Sequence, residues 1–374
     1  MAEALKHQLN ADVVRRIAAG VLAVHPTFEG DAFIAGCLDG LDDLELTARA
    51  QHISETLATF LPDDEGEAIE IIRRSLIHDD PLAQPSEIPA GQSAFHYWPY
   101  VRFLTDRGLD NFELSMETQK VLTTLFTAEF SIRTYLLHRY DDTMETLHVW
   151  ATDNDVHVRR LVSEGTRPRL PWAAKLPMFM ADPSPVLELL EVLKDDPEEY
   201  VRRSVANNLN DIAKDNPDVV IDVARRWWNE GDANRRRLVR HGLRTLIKAA
   251  NPEALAVMGF GSDSPARVSA VRIDPIDLRI GDKIRVEVDV TNPAAADAGA
   301  LVDLRFWFVK ANGTSTAKVF KGSELLIQSG DTAQVRKTIS LAQHSTRSHY
   351  PGLHRIEVII NGATVEGGEF QLRS

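Results

Sequence analysis

The residue types best suited to chemistry in this chain are three carboxylates that each lie close to an arginine. Glu129, Glu164 and Asp211 stand four or eight residues from an arginine, and these spacings place both side chains on one face of a helix. The arginines concerned are Arg133, Arg160 and Arg203. Carboxylates gathered in one groove can stabilise a positive charge and orient a water molecule, while arginines beside them can bind phosphate groups. The spacing predicts an active site, provided that the three segments lie side by side.

An internal repeat predicts that arrangement. Segments 160–165, 203–208 and 237–242 can be aligned, and a looser copy begins at residue 132. The aligned arginines are 27, 43 and 34 residues apart, which suits a stack of helical hairpins whose loops vary in length. Equivalent positions of neighbouring repeats lie side by side in such a stack. We therefore expect the three carboxylates to converge on a shared groove.

The helix that contains Glu164 also has a simpler interpretation. A solenoid helix that begins after Asp155 and carries one salt bridge between residues four apart would account for its charges. The loop that follows is harder to explain by structure alone, because two prolines stiffen a segment that presents Arg167, Arg169 and Trp172. An indole beside a carboxylate and several arginines suits stacking on a sugar or base next to phosphates.

Composition limits the class of protein. The chain has 374 residues, 44% of them apolar, which is enough for two or three domains with a sizeable core. The single cysteine, Cys37, excludes an internal disulfide framework and fits a reducing compartment. No apolar leader and no run of eighteen apolar residues is present, so we expect a cytoplasmic protein without membrane contact.

The distribution of charge matters more than the net charge of −13. Residues 1–90 contain 6 basic and 17 acidic residues, whereas residues 200–250 contain 11 basic and 6 acidic ones. The local field decides where a phosphate backbone binds. The arginines of the second region are therefore candidate phosphate contacts, although a solvated helix face would look the same. The candidates are Arg237, Arg240 and Arg244, which lie in one predicted helix.

The periodicity of apolar residues changes near residue 260. Before it, apolar residues recur at helical spacing; after it, they alternate, as Ile284, Val286 and Val288 do. We predict a multidomain α + β protein: a HEAT-like helical solenoid over residues 1–260, then an immunoglobulin-like β-sandwich over residues 266–374. Lys318, near a predicted turn, is a candidate phosphate contact of the sandwich, or a lysine that serves solubility.

These segments resemble the DNA alkylation repair glycosylases built from HEAT-like repeats, and they are most similar to the AlkC group. The run at residues 150–172, which ends in Arg-Pro-Arg-Leu-Pro-Trp, is the most specific piece. Segments 126–133 and 201–211 support it, and a C-terminal immunoglobulin-like domain also occurs in a branch of that group. The resemblance covers nearly the whole helical part of the chain.

The resemblance implies that the protein excises cationic N-alkylated bases, 3-methyladenine and also 3-methylcytosine, from duplex DNA without turning the base into a protein pocket. It implies Glu129, Glu164 and Asp211 as the catalytic carboxylates, with Trp172 and Arg160 beside them. The chemistry is consistent. A methylated base is a good leaving group, and the cation that develops on the deoxyribose is stabilised by fixed carboxylates.

We expect no metal and no other cofactor, because the histidines are scattered and no glycine-rich phosphate loop is present. We further expect a monomer. The alternative hypothesis, from another class of protein, is a non-catalytic HEAT-repeat scaffold that binds DNA structures or proteins. Release of free base from methylated DNA would distinguish the two hypotheses.

Overall fold

The computed structural model describes residues 5–79, 94–261, 263–343 and 348–374. By its internal contacts the chain divides into two compact units. We call Met1–Asp215 the helical unit and Asn216–Ser374 the C-terminal unit.

The helical unit consists of helices joined by short loops. Its helices are α1 (Ala11–Val24), α2 (Gly30–Leu38), α3 (Leu46–Phe60), α4 (Glu65–Asp79), α5 (Trp98–Arg107), α6 (Phe112–Leu125), α7 (Ile132–His138), α8 (Tyr140–Trp150), α9 (Val156–Gly165), α10 (Pro177–Ala181), α11 (Ser184–Leu193) and α12 (Glu199–Ile212). The first six pack around one apolar core that includes Phe33, Ile53 and Phe103, each at most 1% exposed. Burial of these faces supplies the main driving force for the fold.

Helices α9 and α12 position the predicted site, and they lie side by side and parallel. His157 contacts Tyr200 near the start of both helices, and Arg167 bonds to Asp211 beyond the end of α9. The paired residues are therefore 43 and 44 residues apart. This spacing confirms the 43-residue register of the sequence repeat between segments 160–165 and 203–208.

Helix α9 begins where the sequence predicts. Asp155 is the N-cap, and its side chain accepts hydrogen bonds from the backbone N–H groups of His157 (2.7 Å) and Val158 (3.2 Å). Val158, Leu161 and Val162 are fully buried, so the opposite face is left for polar side chains. The amphipathic pattern thus fixes the direction in which Arg160 and Glu164 point.

The C-terminal unit begins with four helices among its described residues: α13 (Pro217–Glu230), α14 (Ala233–Gly242), α15 (Arg244–Lys248) and α16 (Pro252–Val257). Pro217 and Pro252 each open a helix, as expected for a residue that lacks the N–H a first turn cannot use. The sequence predicted a domain boundary at residues 260–266. The C-terminal unit instead begins at Asn216 and includes helices α13 to α16 together with the sandwich. Gly362 of the sandwich approaches Leu255 and the Ala250 carbonyl so closely that a Cβ there would lie 3.1 Å from each.

The β-sandwich consists of two sheets. Its strands are β1 (Arg267–Asp274), β2 (Asp277–Arg279), β3 (Lys283–Thr291), β4 (Ala298–Val309), β5 (Ser315–Ile327), β6 (Thr332–Ser340), β7 (Gly352–Ile360) and β8 (Ala363–Arg373). One sheet has the order β1-β3-β6 and the other β2-β8-β7-β4-β5. The alternation predicted for β3 is confirmed, since Ile284, Val286, Val288 and Val290 are all fully buried. Asn361 and Gly362 form the tight β7–β8 turn with positive φ values of 49° and 84°.

The predicted fold class, a helical region followed by an immunoglobulin-like sandwich, is therefore confirmed. Among the described residues, no helix is long and apolar enough to cross a membrane.

Candidate active site

A continuous chain of ion pairs joins the three predicted carboxylates within the helical unit. Arg160 connects Glu129 to Glu164, and Arg167 connects Glu164 to Asp211. Each of the two arginines lies between two carboxylates and holds them at a fixed separation. We call these five residues the carboxylate cluster. The structure thus brings together residues that are 82 positions apart in the sequence.

Glu129 lies in the loop between α6 and α7 and not on a helix. Its Oε2 accepts hydrogen bonds from Arg160 Nη1 (2.5 Å) and from the hydroxyl of Thr127 (2.9 Å). The Glu129 side chain is 13% exposed, the largest value among the three carboxylates. No hydrogen bond to Oε1 is present among the described residues, so this oxygen can meet a ligand.

Glu164 lies in the last turn of α9 and is more enclosed. Its Oε1 accepts a hydrogen bond from Arg167 Nη1 (2.5 Å) and lies 3.6 Å from Arg160 Nη2. Its Oε2 accepts a hydrogen bond from the hydroxyl of Ser204 on α12 (2.6 Å). These contacts fix the carboxylate from α9 itself, from the loop after α9 and from α12.

Asp211, in the last turn of α12, is almost fully buried. Its Oδ2 accepts a hydrogen bond from Arg167 Nε (2.8 Å), and its Oδ1 accepts one from Lys214 Nζ (2.7 Å). With both oxygens bound and a side chain only 2% exposed, Asp211 holds cations in place more readily than it could contact a substrate.

Burial and the charges of the carboxylates act in opposite directions on the pKa values of the two arginines in the cluster. Burial disfavours the charged guanidinium of Arg160, but the charges of Glu129 and Glu164 outweigh burial and leave the pKa of Arg160 raised. The pKa of Arg167 is raised in the same way, by Glu164 and Asp211 against burial. Because the cluster lies at the C-terminal ends of α9 and α12, the helix dipoles add negative potential there. These dipoles act in the same direction as the three carboxylates and against the charges of Arg160, Arg167 and Lys214.

Arg133, predicted to contact DNA, has another position in the structure. Its side chain is buried, and its guanidinium donates hydrogen bonds to the carbonyl oxygens of Gly165 (3.0 Å), Arg167 (2.7 Å) and Ala174 (3.0 Å). Burial is the main cause that lowers the pKa of Arg133 to about 10, and the positive charge of Arg167 acts in the same direction. Arg133 thus ties together both ends of the loop after α9, and its donors are directed at the backbone of that loop.

That loop presents Trp172 to solvent. The indole is 81% exposed, and the residue has a positive φ of 64°, which is rare and unfavourable for a large side chain. A strained, exposed tryptophan on a loop held by a buried arginine is a feature expected of a binding site. Arg169, on the same loop, forms a two-pronged ion pair with Asp215 (2.7 and 2.6 Å).

The remaining predicted phosphate contacts are exposed or partly exposed. Arg203 is exposed on α12, on the same helix as Asp211, but does not join the carboxylate cluster. In the C-terminal unit Arg237 is exposed, Arg240 forms an ion pair with Glu324, and Lys318 lies over the ring of Phe320.

Arg240 and Arg244 also line a cleft within the C-terminal unit. The cleft has a volume of about 350 Å³ and lies between helices α14–α15 and strands β4–β5. Lys248 and Lys321 add two further cationic groups to its lining, and Asp303 and Glu324 add two anionic ones. The excess of cations makes this cleft a candidate for binding an anion.

Sequence reasoning missed four residues that contact the cluster: Thr127, Tyr200, Ser204 and Lys214. Lys214 was detectable, because it follows Asp211 by three residues on what was expected to be a helix. Thr127, Tyr200 and Ser204 carry no comparable signal, since their roles arise from contacts between segments. Among the described residues, no group of three or more histidine, cysteine, aspartate or glutamate side chains could hold a metal ion.

Two family models match the sequence. One, described as a DNA alkylation repair enzyme, matches residues 112–246, a range that contains the whole carboxylate cluster and Trp172. The other, described as the C-terminal Ig-like domain of the uncharacterised protein YhaZ, matches residues 267–374. The arrangement of a helical repair domain before an immunoglobulin-like domain defines the class of protein.

Full-length similarities agree with that class. The uncharacterized protein YhaZ of Bacillus subtilis (strain 168) is 32% identical over 369 residues, with 98% of this chain and 99% of that protein covered. The structure is similar to that of the alkylpurine DNA glycosylase AlkC of Pseudomonas fluorescens bound to DNA containing an abasic site analog, at a TM-score of 0.85 and 33% identity. That match covers 100% of both chains. The chain therefore belongs to the DNA alkylation repair enzyme family, in the AlkC group.

Proposed function

We propose that this protein is a monofunctional DNA glycosylase that excises cationic N-alkylated bases from duplex DNA. The substrates we propose are 3-methyladenine and 3-methylcytosine. The observation that carries the proposal is the carboxylate cluster, in which two arginines hold Glu129, Glu164 and Asp211 together. The loop after α9, which supplies Arg167 to the cluster, also presents the exposed Trp172. The family and the likeness to an alkylpurine DNA glycosylase support the same activity.

The cluster suits a reaction in which the protein stabilises charge on the sugar and does not have to protonate the base. A base alkylated at N3 already carries a positive charge and leaves as a neutral molecule, so no strong acid is required. The deoxyribose acquires the charge as the N-glycosidic bond breaks. Glu129 and Glu164 stabilise this developing cation, and the uncommitted oxygen of Glu129 can orient the attacking water.

The roles of the other residues follow from their positions. Asp211 keeps Arg167 and Lys214 in place and so maintains the geometry of Glu164. Trp172 stacks on the exposed sugar or base at the lesion, without a protein pocket that encloses the base. The exposed Arg203 and the more open Arg169 bind neighbouring phosphates.

We propose the cationic cleft of the C-terminal unit as a second surface for the phosphate backbone. Arg244, Lys248 and Lys321 supply charge there, together with Arg240, which must exchange its partner Glu324 for a phosphate. Arg237 and Lys318 are further candidate contacts, since both are exposed. These contacts carry no sequence information, as is appropriate for an enzyme that must find lesions anywhere in a genome.

The function is tested by incubating excess protein with a methylated duplex in the presence of EDTA and identifying the released bases by mass spectrometry. We expect free 3-methyladenine, and free 3-methylcytosine from a duplex that contains it. The strand should remain intact until alkali cleaves the abasic site. Binding of the duplex without release of any base would instead favour the non-catalytic scaffold.

A further inference from the structure

Tyr200 contacts the carboxylate cluster but has no part in the chemistry proposed above. It lies in the first turn of α12, and 46% of the residue is exposed. The guanidinium carbon of Arg160 lies 5.4 Å from the centre of its ring. The ring of His157 meets it edge to face, with centroids 5.7 Å apart and an interplanar angle of 69°. The tyrosine ring therefore covers one face of α9, where His157 and Arg160 are neighbours three residues apart.

The orientation of Arg160 determines how the two outer carboxylates share its charge. Nη1 bonds to Glu129 at 2.5 Å, while Nη2 lies 3.6 Å from Glu164. A guanidinium on a long, flexible side chain could shift toward either anion or turn away from both. An aromatic face beneath it restricts this movement, because the plane of the cation is attracted to the face of the ring.

We propose that Tyr200 is a positioning residue, which holds Arg160 between Glu129 and Glu164 and so sets the negative charge that Glu129 presents to the sugar. The inference rests on the glycosylase function proposed above. It assigns a catalytic consequence to a ring that does not itself touch the reacting atoms. The hydroxyl is dispensable in this role, whereas the aromatic face is required.

The surroundings of Tyr200 are consistent with this role. Burial is the main cause that raises its pKa; Arg160 opposes the shift, and Glu129 and Glu164 add to it. The phenol therefore stays neutral at physiological pH and adds no further anion to the cluster. Its interaction with Arg160 depends on the ring alone.

Two substitutions separate the ring from the hydroxyl. Tyr200→Phe keeps the aromatic face, and we expect its excision rate at saturating enzyme to stay within about twofold of the unmodified protein. Tyr200→Leu removes the face, and we expect the rate to fall about tenfold, the effect of losing roughly one cation–π contact in the transition state. The dissociation constant for DNA should change less than the rate in both variants. Tyr350→Leu, at a half-exposed tyrosine of the sandwich, serves as the control and should leave the rate unchanged.

Three results would overturn the proposal. If Tyr200→Phe lost as much activity as Tyr200→Leu, the hydroxyl would be the functional group. If Tyr200→Leu weakened DNA binding but left the saturated rate unchanged, the ring would contact DNA directly. If Tyr200→Leu slowed excision equally in an Arg160→Ala background, Tyr200 would not act through Arg160.

A measurement that needs no activity separates this proposal from the glycosylase function. Urea unfolding of the single variants Tyr200→Leu and Arg160→Ala and of the double variant reports whether the two side chains are coupled. We expect Tyr200→Leu to shift the midpoint clearly less when Arg160 is already absent. Additive shifts would show that the ring does not hold Arg160, even in a protein that excises bases. Coupled shifts in a protein that releases no base would leave the contact intact and refute the proposed function.

Discussion

At the scale of single residues, the three carboxylates differ in how many of their oxygens accept hydrogen bonds from the protein. Both oxygens of Asp211 bind cations and its side chain is 2% exposed, whereas Glu129 uses one oxygen and is 13% exposed. A carboxylate needs an available oxygen to contact a sugar cation or a water directly, whereas Glu164, with both oxygens hydrogen-bonded, acts on the cation through its charge. Glu129 is therefore best placed for direct contact, and Asp211 serves mainly to hold the arrangement together.

This difference predicts that isosteric neutral variants separate activity from stability. Glu129→Gln should lower the excision rate about 10²–10³-fold, because one aimed charge is lost, with little change in the free energy of unfolding. Asp211→Asn should lower the free energy of unfolding by about 1–3 kcal/mol, because it weakens the buried ion pair of Arg167, which keeps Glu164, and the ion pair of Lys214. Single-turnover kinetics and urea unfolding check both expectations. Equal losses of stability in the two variants would contradict the division of roles.

Trp172 allows a test in which stability and activity move in opposite directions. Its side chain is exposed and its φ is 64°, so Trp172→Gly should remove backbone strain and raise the free energy of unfolding by about 1 kcal/mol. Excision should nevertheless slow, since the indole is gone. Trp172→Ala is the matched control, because it loses the indole but keeps the strain. Normal excision by both variants would show that the indole does not contact the lesion.

At the scale of elements, the site depends on the close approach of α9 to the start of α7. A Cβ on Gly165, the last residue of α9, would lie 2.5 Å from Cγ2 of Ile132, which is fully buried at the start of α7. This approach brings the loop that carries Glu129 beside the end of the helix that carries Glu164. Only glycine allows it, which gives a structural reason for the glycine in the aligned segment 160–165.

Gly165→Ala should therefore destabilise the protein by about 1–3 kcal/mol and slow excision, because α7 and α9 must move apart. Gly20→Ala in α1 is the matched control: a Cβ there meets no atom within 4 Å, so the change should raise the free energy of unfolding by about 0.5–1 kcal/mol without affecting the rate. Thermal unfolding and single-turnover excision measure both effects. Unchanged excision by Gly165→Ala would show that the α7–α9 distance is not critical.

The sequence predicted local features well and contacts between segments less well. The N-cap at Asp155, the prolines that open α13 and α16, and the alternation in β3 all follow from rules that act within a few residues. The repeat register also predicted that α9 and α12 lie side by side. The buried position of Arg133 was not predictable, because its carbonyl partners lie 32 to 41 residues away.

At the scale of the whole molecule, the proposed function requires an acidic chain to bind an acidic polymer. The net charge is −13, but cationic side chains are concentrated in the C-terminal unit's cleft and beside the carboxylate cluster. DNA affinity should therefore fall steeply with salt in spite of the net charge, since binding releases counterions from each phosphate contacted. The helices α13–α16 group with the sandwich, so the charged surface of this unit combines helix and strand residues.

Neutralising the cleft should flatten the salt dependence. We expect Lys321→Ala and Arg244→Gln each to reduce the slope of log affinity against log salt by about one, the value for one phosphate contact. Lys283→Ala, at an exposed lysine of β3 in the other sheet, is the control and should leave the slope unchanged. Filter binding or fluorescence anisotropy over a range of salt concentrations measures the slopes. If Lys321→Ala and Arg244→Gln kept the slope of the unmodified protein, as the control does, the cleft would not bind the DNA backbone.

The central claim, that fixed carboxylates stabilise a cation on the sugar, is tested most directly by comparing two abasic-site analogues in the same duplex. One is a pyrrolidine that carries a positive charge, and the other is a neutral tetrahydrofuran of similar shape. We predict that the unmodified protein binds the charged analogue about a hundredfold more tightly, as expected for a mimic of the transition state. The Glu129→Gln/Glu164→Gln double variant should bind both analogues with similar affinity. Equal affinities in the unmodified protein, or a preference that survives in the double variant, would contradict the claim.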